Sequence, residues 1–265
     1  INREMIKYSL PLLPNALCWW LLGSSNRLFI DHYLGLESNG IYAVAMKFAS
    51  ILETFSLIIY QAWQETAIKQ YGSQDKNSFF SSVLYAQMYI FSAFVILVIF
   101  VIKWNYGWLV DANFQASAQY LFPMGVSVIF FSLTSFFDMG YQCSKETARN
   151  LPGVILATVL NLVLNYLLIQ QWAIWGIVVS SILTYLFLFL YRMVDSRRFF
   201  RVKIPYGGLI PLGGCLVAGI IYYGVSSIYL QILYVAILMV LLWMVMPRYV
   251  KEQLMQVGMA KLRKK

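Results

Sequence analysis

Long apolar runs divided by short joints constrain this chain more than any motif it carries. Eight can be read, at roughly 6–34, 40–70, 79–102, 117–141, 150–169, 173–195, 206–224 and 228–247. A transmembrane helix takes about 20 mostly apolar residues, and these runs are of that order. The bilayer core offers the backbone no hydrogen-bond partners, so a spanning segment is a helix or a strand of a closed barrel. Apolar runs alternating with polar, turn-rich joints predict an all-α polytopic membrane protein, a bundle of about eight transmembrane helices. Composition agrees. Of 265 residues, 60% are hydrophobic and 12% charged, where a soluble domain carries about 25% charged residues. A net charge of +9 with no basic face on a soluble domain argues against nucleic acid as a partner.

The basic residues set the expected orientation. On the side of the N-terminus the joints hold Arg3 and Lys7, then Lys69 and Lys76, then Lys145 and Arg149. They go on with Arg192, Arg197, Arg198, Arg201 and Lys203, and the tail adds Arg248, Lys251, Lys261, Arg263, Lys264 and Lys265. The opposite joints hold Lys103 alone. Because Lys and Arg concentrate in cytoplasmic loops, both termini are expected to be cytoplasmic. The domain reading is a six-helix transmembrane lobe over 1–205, two further helices over 206–247 and a basic tail over 248–265. The tail suits a helix lying on anionic lipid and a solvated end equally.

Enzyme signatures are scarce. Gly-x-Ser-x-Gly, HExxH and GxGxxG are missing from the sequence, and a single histidine, His32, leaves little scope for histidine-based catalysis. Cys18, Cys143 and Cys215 lie far apart with no CxxC spacing, so they read as free thiols packed in helices rather than as a metal or redox centre. The glycines of the seventh run (Gly207, Gly208, Gly213, Gly214, Gly219, Gly224) read as places where helices approach closely. Thr158, Asn161 and Asn165 share one face of the fifth run, placed for interhelical hydrogen bonds or for a polar path. No cofactor is expected.

The informative residues are charges inside the first two runs. A charge at the centre of a membrane helix costs about 3 kcal/mol on insertion scales, so it turns toward protein or a water-filled cavity. At about 100° per residue, Trp20, Ser24, Arg27 and Asp31 fall on one face of the first helix. Lys47, Ser50, Thr54, Gln61 and Glu65 fall on one stripe of the second, with Glu53 turned about 120° away. Two polar stripes on consecutive helices read as the wall of a cavity. Arg27 and Asp31 are an i,i+4 pair, so Arg27 either neutralises Asp31 or, with Lys47, attracts an anionic headgroup. Trp19, Trp20 and Trp63 are candidates for stacking on sugar rings.

The segments Lys7-Tyr-Ser-Leu-Pro-Leu-Leu-Pro-Asn15, Asn26-Arg-Leu-Phe-Ile30 and Gly40-Ile-Tyr-Ala-Val-Ala-Met-Lys-Phe48 carry a resemblance. So do Gln61-Ala-Trp-Gln64, Ser144-Lys-Glu-Thr147, Asn161-Leu-Val-Leu-Asn165 and Tyr191-Arg-Met-Val-Asp-Ser-Arg-Arg-Phe199. In order and spacing, over roughly residues 3 to 205, they resemble the second half of bacterial oligosaccharide flippases of the multidrug/oligosaccharidyl-lipid/polysaccharide exporter superfamily. The resemblance implies the second lobe, plus two extra helices, of a two-lobed flippase around a central cavity. It implies transport, not enzymatic turnover, of a lipid-linked oligosaccharide of the undecaprenyl-diphosphate type to the outer leaflet of the bacterial inner (plasma) membrane. The expected partners are that substrate, membrane lipids, a coupling proton or sodium ion and other glycan-assembly proteins. The residues expected to line the cavity are Arg27, Lys47, Asp31, Asn26, Trp20, Thr54 and Gln61. Asn26 departs from the family, which often has Asp there. Alternatives are a multidrug or small-molecule exporter of the same superfamily, a membrane polymerase or ligase of glycan assembly, and a scaffold for glycosyltransferases. A chain that opens with Ile1 and resembles a second lobe is expected to belong to a longer protein.

The orientation is directly testable. A cysteine introduced at Asn113 should react with an impermeant thiol reagent applied to intact cells, and one at Gln74 should not. The reverse labelling would invert the topology.

Overall fold

The computed structural model describes residues 12–202 and 210–246. The basic tail, Arg3, Lys7, Lys203, Pro11 and the Gly207–Gly208 pair lie outside the described residues. Among the described residues every regular element is helical. The first, α1 (Leu12–Gln70), contains 59 residues and is broken at Gly35, where φ is 81° and ψ 176°. That φ is open to glycine and strained for other residues. Tyr42 accepts a hydrogen bond at 3.1 Å from Asn26 Nδ2, across 16 positions of sequence. In an unbroken helix those positions would be about 24 Å apart, so the chain reverses at Gly35 into an antiparallel hairpin. Its arms are called α1a (12–34) and α1b (36–70). The sequence placed a joint at 35–39; the turn needs only Gly35, and helix resumes at once.

After the hairpin come α2 (Lys76–Trp104), the short α3 (Tyr106–Leu109), α4 (Ala118–Cys143), α5 (Leu151–Trp172), α6 (Ile174–Asp195), α7 (Ile210–Gly224) and α8 (Ile228–Val245). Three short 3-10 turns, Ala112–Ser117, Thr147–Asn150 and Ser196–Arg198, connect some of them. Among the described residues six helices are long and apolar enough to cross a membrane, α1 with both its arms counted as one; α7, with 15 residues, is apolar but shorter. The protein is therefore an all-α chain with the composition of a multi-pass membrane protein.

Helix α4 is the most buried span and forms the centre. It packs on α1, α2 and α6, and α5 closes the far side against α1 and α6. Lipid is as apolar as leucine, so packing rather than water exclusion joins such helices. Rings supply much of it here. Phe80 stacks on Phe200 with centroids 4.1 Å apart, Phe136 meets Phe137 edge-on at 5.1 Å, and Trp63 stacks on Phe136 at 5.3 Å. Each such pair contributes about 0.5–1.5 kcal/mol beyond its buried area. Trp63 is thus a core residue, not a free sugar-stacking ring. Ala218 and Tyr222 of α7 and Leu238 and Leu242 of α8 continue the same core.

Two of the glycines in the seventh run stand where helices meet. A Cβ at Gly214 would lie 3.1 Å from Leu242, and one at Gly219 2.9 Å from Phe122, whereas Gly213 and Gly224 face open space. The aromatic joint after α2 divides its labour. Trp108 is 88% exposed, as a headgroup-level ring would be. Trp104 instead donates to Gln231 at 3.2 Å, and Lys103 donates to the Tyr222 carbonyl while lying 4.0 Å over that ring.

The tightest backbone approach is in the α5–α6 hairpin, which turns at Ala173 (φ 48°). A Cβ on Gly176 would sit 2.3 Å from the Leu168 carbonyl oxygen. Gly176→Ala should therefore cost about 1–3 kcal/mol by forcing the hairpin apart. Gly213→Ala, in open space, is the matched control. Thermal unfolding in detergent checks the pair.

Candidate functional site

The α1 hairpin presents two polar faces, one outward and one into the bundle. Trp20, Arg27, Asp31, Lys47, Ser50, Thr54, Gln61 and Glu65 are all exposed. The helical spacing put them on shared faces, but those faces, read from the sequence as a cavity wall, line neither of the two internal cavities described below. Among the described residues no ion pair joins Arg27 to Asp31. The guanidinium Nε instead donates to Asn39 Oδ1 at 3.4 Å, across the Gly35 turn. The i,i+4 spacing permitted a pair, and the hairpin supplied a different partner. The Ser50 and Thr54 hydroxyls donate back to the carbonyls of Lys47 and Ser50, both at 2.8 Å, leaving oxygen lone pairs on the surface. Apolar Leu28, Ile51, Leu57 and Ile58 are exposed among these groups. The outer faces of α5 and α8 are by contrast dominated by apolar side chains, such as Leu156, Val163, Leu233 and Leu241.

Asn26, expected in the same cavity as Arg27, faces the other way. It is 5% exposed, since one step along a helix turns a side chain by about 100°. Its amide nitrogen donates to Tyr42 and, at 3.0 Å, to Ser181; its oxygen accepts from Asn165 at 2.8 Å. Asn165 also donates to Asn161 at 3.2 Å, Ser25 donates to Asn161 at 3.1 Å, and Asn161 donates to Ser180 and Thr184 at 3.3 Å. The polar face seen on the fifth run thus ties α1a to α5 and α6 by interhelical hydrogen bonds. Each is worth about 0.6 kcal/mol in membrane proteins.

Below this network lies a cavity of about 180 Å³ lined by Asn26, Tyr42, Glu53, Ser127, Ser181 and Tyr185, among others. Glu53 is the acidic residue in it. A second cavity, of about 220 Å³, lies nearer the end that carries the basic joints and is lined by Asn15, Tyr60, Ser135, Asp138, Asn150 and Arg192. Trp19 and Phe131 border both cavities, edge to face with centroids 6.0 Å apart. Trp19 is accordingly an interior ring, where the sequence left it open to sugar stacking.

Arg192 corrects the charge inventory. The sequence counted it with the basic joint after the sixth run, yet it is 1% exposed. One terminal nitrogen donates to Asn150 at 2.7 Å and lies 3.4 Å from Asp138; the other donates to the Thr134 carbonyl at 2.9 Å. Asp138 in turn accepts from Gln142 at 2.9 Å and from Asn150 at 2.6 Å. Separation by half the bundle's topology hid this pair. The signals available were an aspartate inside the fourth apolar run and an arginine flanked by Tyr191 and Met193. His32 is exposed and packs edge-on against Tyr33 at 4.9 Å. Cys18 and Cys215 are buried free thiols, and Cys143 is half-buried. Among the described residues no group of three or more His, Cys, Asp or Glu side chains is arranged to hold a metal ion.

No protein-family model matches the sequence, and no curated protein matches it significantly.

The Arg192–Asp138 pair has a distinctive mutational signature. Asp138→Leu strands a buried guanidinium and should destabilise by about 3–5 kcal/mol, whereas Asp138→Leu with Arg192→Leu should recover most of that loss. Unfolding midpoints in detergent, read as a double-mutant cycle, measure the coupling.

Proposed function

We propose that this chain is part of a transporter that moves a lipid-linked oligosaccharide, of the undecaprenyl-diphosphate type, from the cytoplasmic to the outer leaflet of a bacterial inner membrane for surface polysaccharide assembly. The observation that carries the reading is the outward face of α1, where Arg27 and Lys47 are exposed on helices apolar enough to span a membrane. Charges at that depth are poor neighbours for lipid tails. They suit a water-filled cavity or an anionic ligand, and Arg27, with no carboxylate paired to it among the described residues, keeps most of its guanidinium donors available. A diphosphate on an apolar carrier fits such a face: the guanidinium fork and the lysine ammonium meet the charge, and the interspersed Leu28, Ile51 and Ile58 meet the lipid. The ordered resemblance of residues 3–205 to the second half of oligosaccharide flippases supports the same reading. It also supports the cytoplasmic placement of the basic joints and coupling to a proton or sodium gradient.

Transport of a labelled lipid-linked glycan in membrane vesicles, at matched membrane abundance, tests the assignment. Arg27→Ala should slow it about tenfold, or ~1.4 kcal/mol. Arg27→Lys should fall between wild type and Arg27→Ala, because charge returns without the paired hydrogen bonds. Arg27→Ala with Asp31→Ala should stay as slow as Arg27→Ala. Full recovery in that double variant would make Arg27 a mere counter-ion and remove the substrate-binding role.

A further inference from the structure

The two internal cavities form a line of polar groups that the outward face does not use. Glu53 lies in the first, half-buried, and among the described residues no hydrogen bond or ion pair reaches its carboxylate. Every element around it has a definable contribution. Arm α1a offers Asn26 and Trp19, α1b offers Tyr42, α4 offers Ser127 and Phe131, and α6 offers Ser181 and Tyr185. Tyr42 and Tyr185 are the titratable side chains in electrostatic reach of Glu53. Helix α2 meets α1b through Phe94, stacked on Phe55 at 4.0 Å, and α5 faces the hairpin with Asn161 and Asn165, already hydrogen-bonded. The cations are elsewhere. Arg27 and Lys47 are exposed on the outward face, and Arg192 is paired to Asp138 in the second cavity.

That second cavity has the character of a wet vestibule. Three buried atoms at its wall, Asn15 Oδ1, Tyr60 Oη and Arg192 Nε, have no hydrogen-bond partner among the described residues. Buried polar atoms are seldom left so, and a polar cavity of about 220 Å³ has room for several waters, each of which takes about 30 Å³ of liquid volume. The net charge of the Arg192–Asp138 pair is zero, which fits water better than a charged ligand. What divides it from Glu53 is the Trp19–Phe131 ring contact, with the Arg192 guanidinium 5.8 Å from the Trp19 ring centroid.

We infer that Glu53 is a proton-binding site served from the basic end of the bundle through the Asp138–Arg192 cavity, with the Trp19–Phe131 pair as its partition. A carboxyl group with no cation beside it carries charge only while water reaches it. The step is a plain proton transfer: a hydronium ion in the vestibule gives its proton to a Glu53 carboxylate oxygen, leaving water and a neutral carboxyl group. Release is the reverse. Movement of one ring opens the water path, so protonation follows the conformation of α1a against α4. This rests on the transporter reading for its purpose, which is to let a proton gradient bias that conformation.

The test is infrared titration of the purified chain in lipid nanodiscs, paired with thiol labelling. With 11 Asp and Glu residues in the chain, the Glu53 signal is read as the difference between wild-type and Glu53→Gln titrations. That difference should contain one carboxyl C=O band that titrates with pH, and Glu53→Asp should shift it. No such band in the difference overturns the site. In a background with Cys18, Cys143 and Cys215 replaced, Ser135→Cys should react with a small thiol reagent applied to inside-out vesicles. Ser127→Cys should react slowly, and about tenfold faster once Phe131→Ala removes ~1.4 kcal/mol of barrier. Ser127→Cys labelling as fast as Ser135→Cys with Phe131 intact overturns the partition. Neither arm uses a glycolipid. Absence of glycolipid transport by the wild-type chain, with the Glu53 band present, would therefore tell against the transporter reading alone.

Discussion

A charged or polar group inside a bilayer must be met by protein, by water or by a ligand, and this fold meets the requirement differently at each of its levels. Near one end, Asn26, Asn161 and Asn165 are met by other side chains, and the result is a tie between α1a, α5 and α6. Near the basic end Arg192 is met by Asp138, Asn150 and the Thr134 carbonyl. Between them Glu53 has no such partner, and on the outer surface Arg27 and Lys47 form no ion pair, among the described residues. The satisfied groups hold helices in place. The unsatisfied ones mark where something else is required, and they are the groups that bear on function.

The reversal at Gly35 gives this arrangement its geometry. It folds one 59-residue helical stretch into two antiparallel arms, so a single continuous piece of chain contributes one side of the inner cavity, facing α4 and α6, and the whole outward polar stripe. Neighbouring residues then serve different compartments: Asn26 points inward and Arg27 outward, and the same holds for Glu53 and Thr54. Any tilt of the hairpin relative to α4 alters both faces together. The two arms meet the core differently. Trp63 is wedged against Phe80 and Phe136 in the aromatic core, whereas Trp19 meets α4 by an edge-on contact with Phe131.

The added helices α7 and α8 anchor to that same core rather than forming one of their own. Tyr222 is the fulcrum: its ring lies against Phe100 and Phe122, its hydroxyl donates to the Ala118 carbonyl at 2.6 Å, and Lys103 caps its carbonyl. This fixes the end of the bundle opposite the basic joints, away from the Arg192 vestibule.

Hydrophobic length and the alternation of joints were enough to determine the class of this protein, because a bilayer admits so few solutions for a buried backbone. Helical periodicity likewise sufficed to group the stripe from Arg27 to Gln61 and to put Asn161 and Asn165 on one face, since 3.6 residues per turn assigns a face whatever the neighbours are. That the stripe turns outward rather than walling an internal cavity came from the packing. Partners were another matter. Arg27 bonds Asn39 rather than Asp31 because a hairpin turn brought Asn39 closer, and no rule of local spacing contains that turn's geometry. Arg192 and Asp138 lie on different helices, and Glu53 and Tyr185 share a cavity from different helices. Those meetings, like the cavities they line, are set by how helices pack, which depends on side-chain shapes summed over the whole core and is decided only in the tertiary structure.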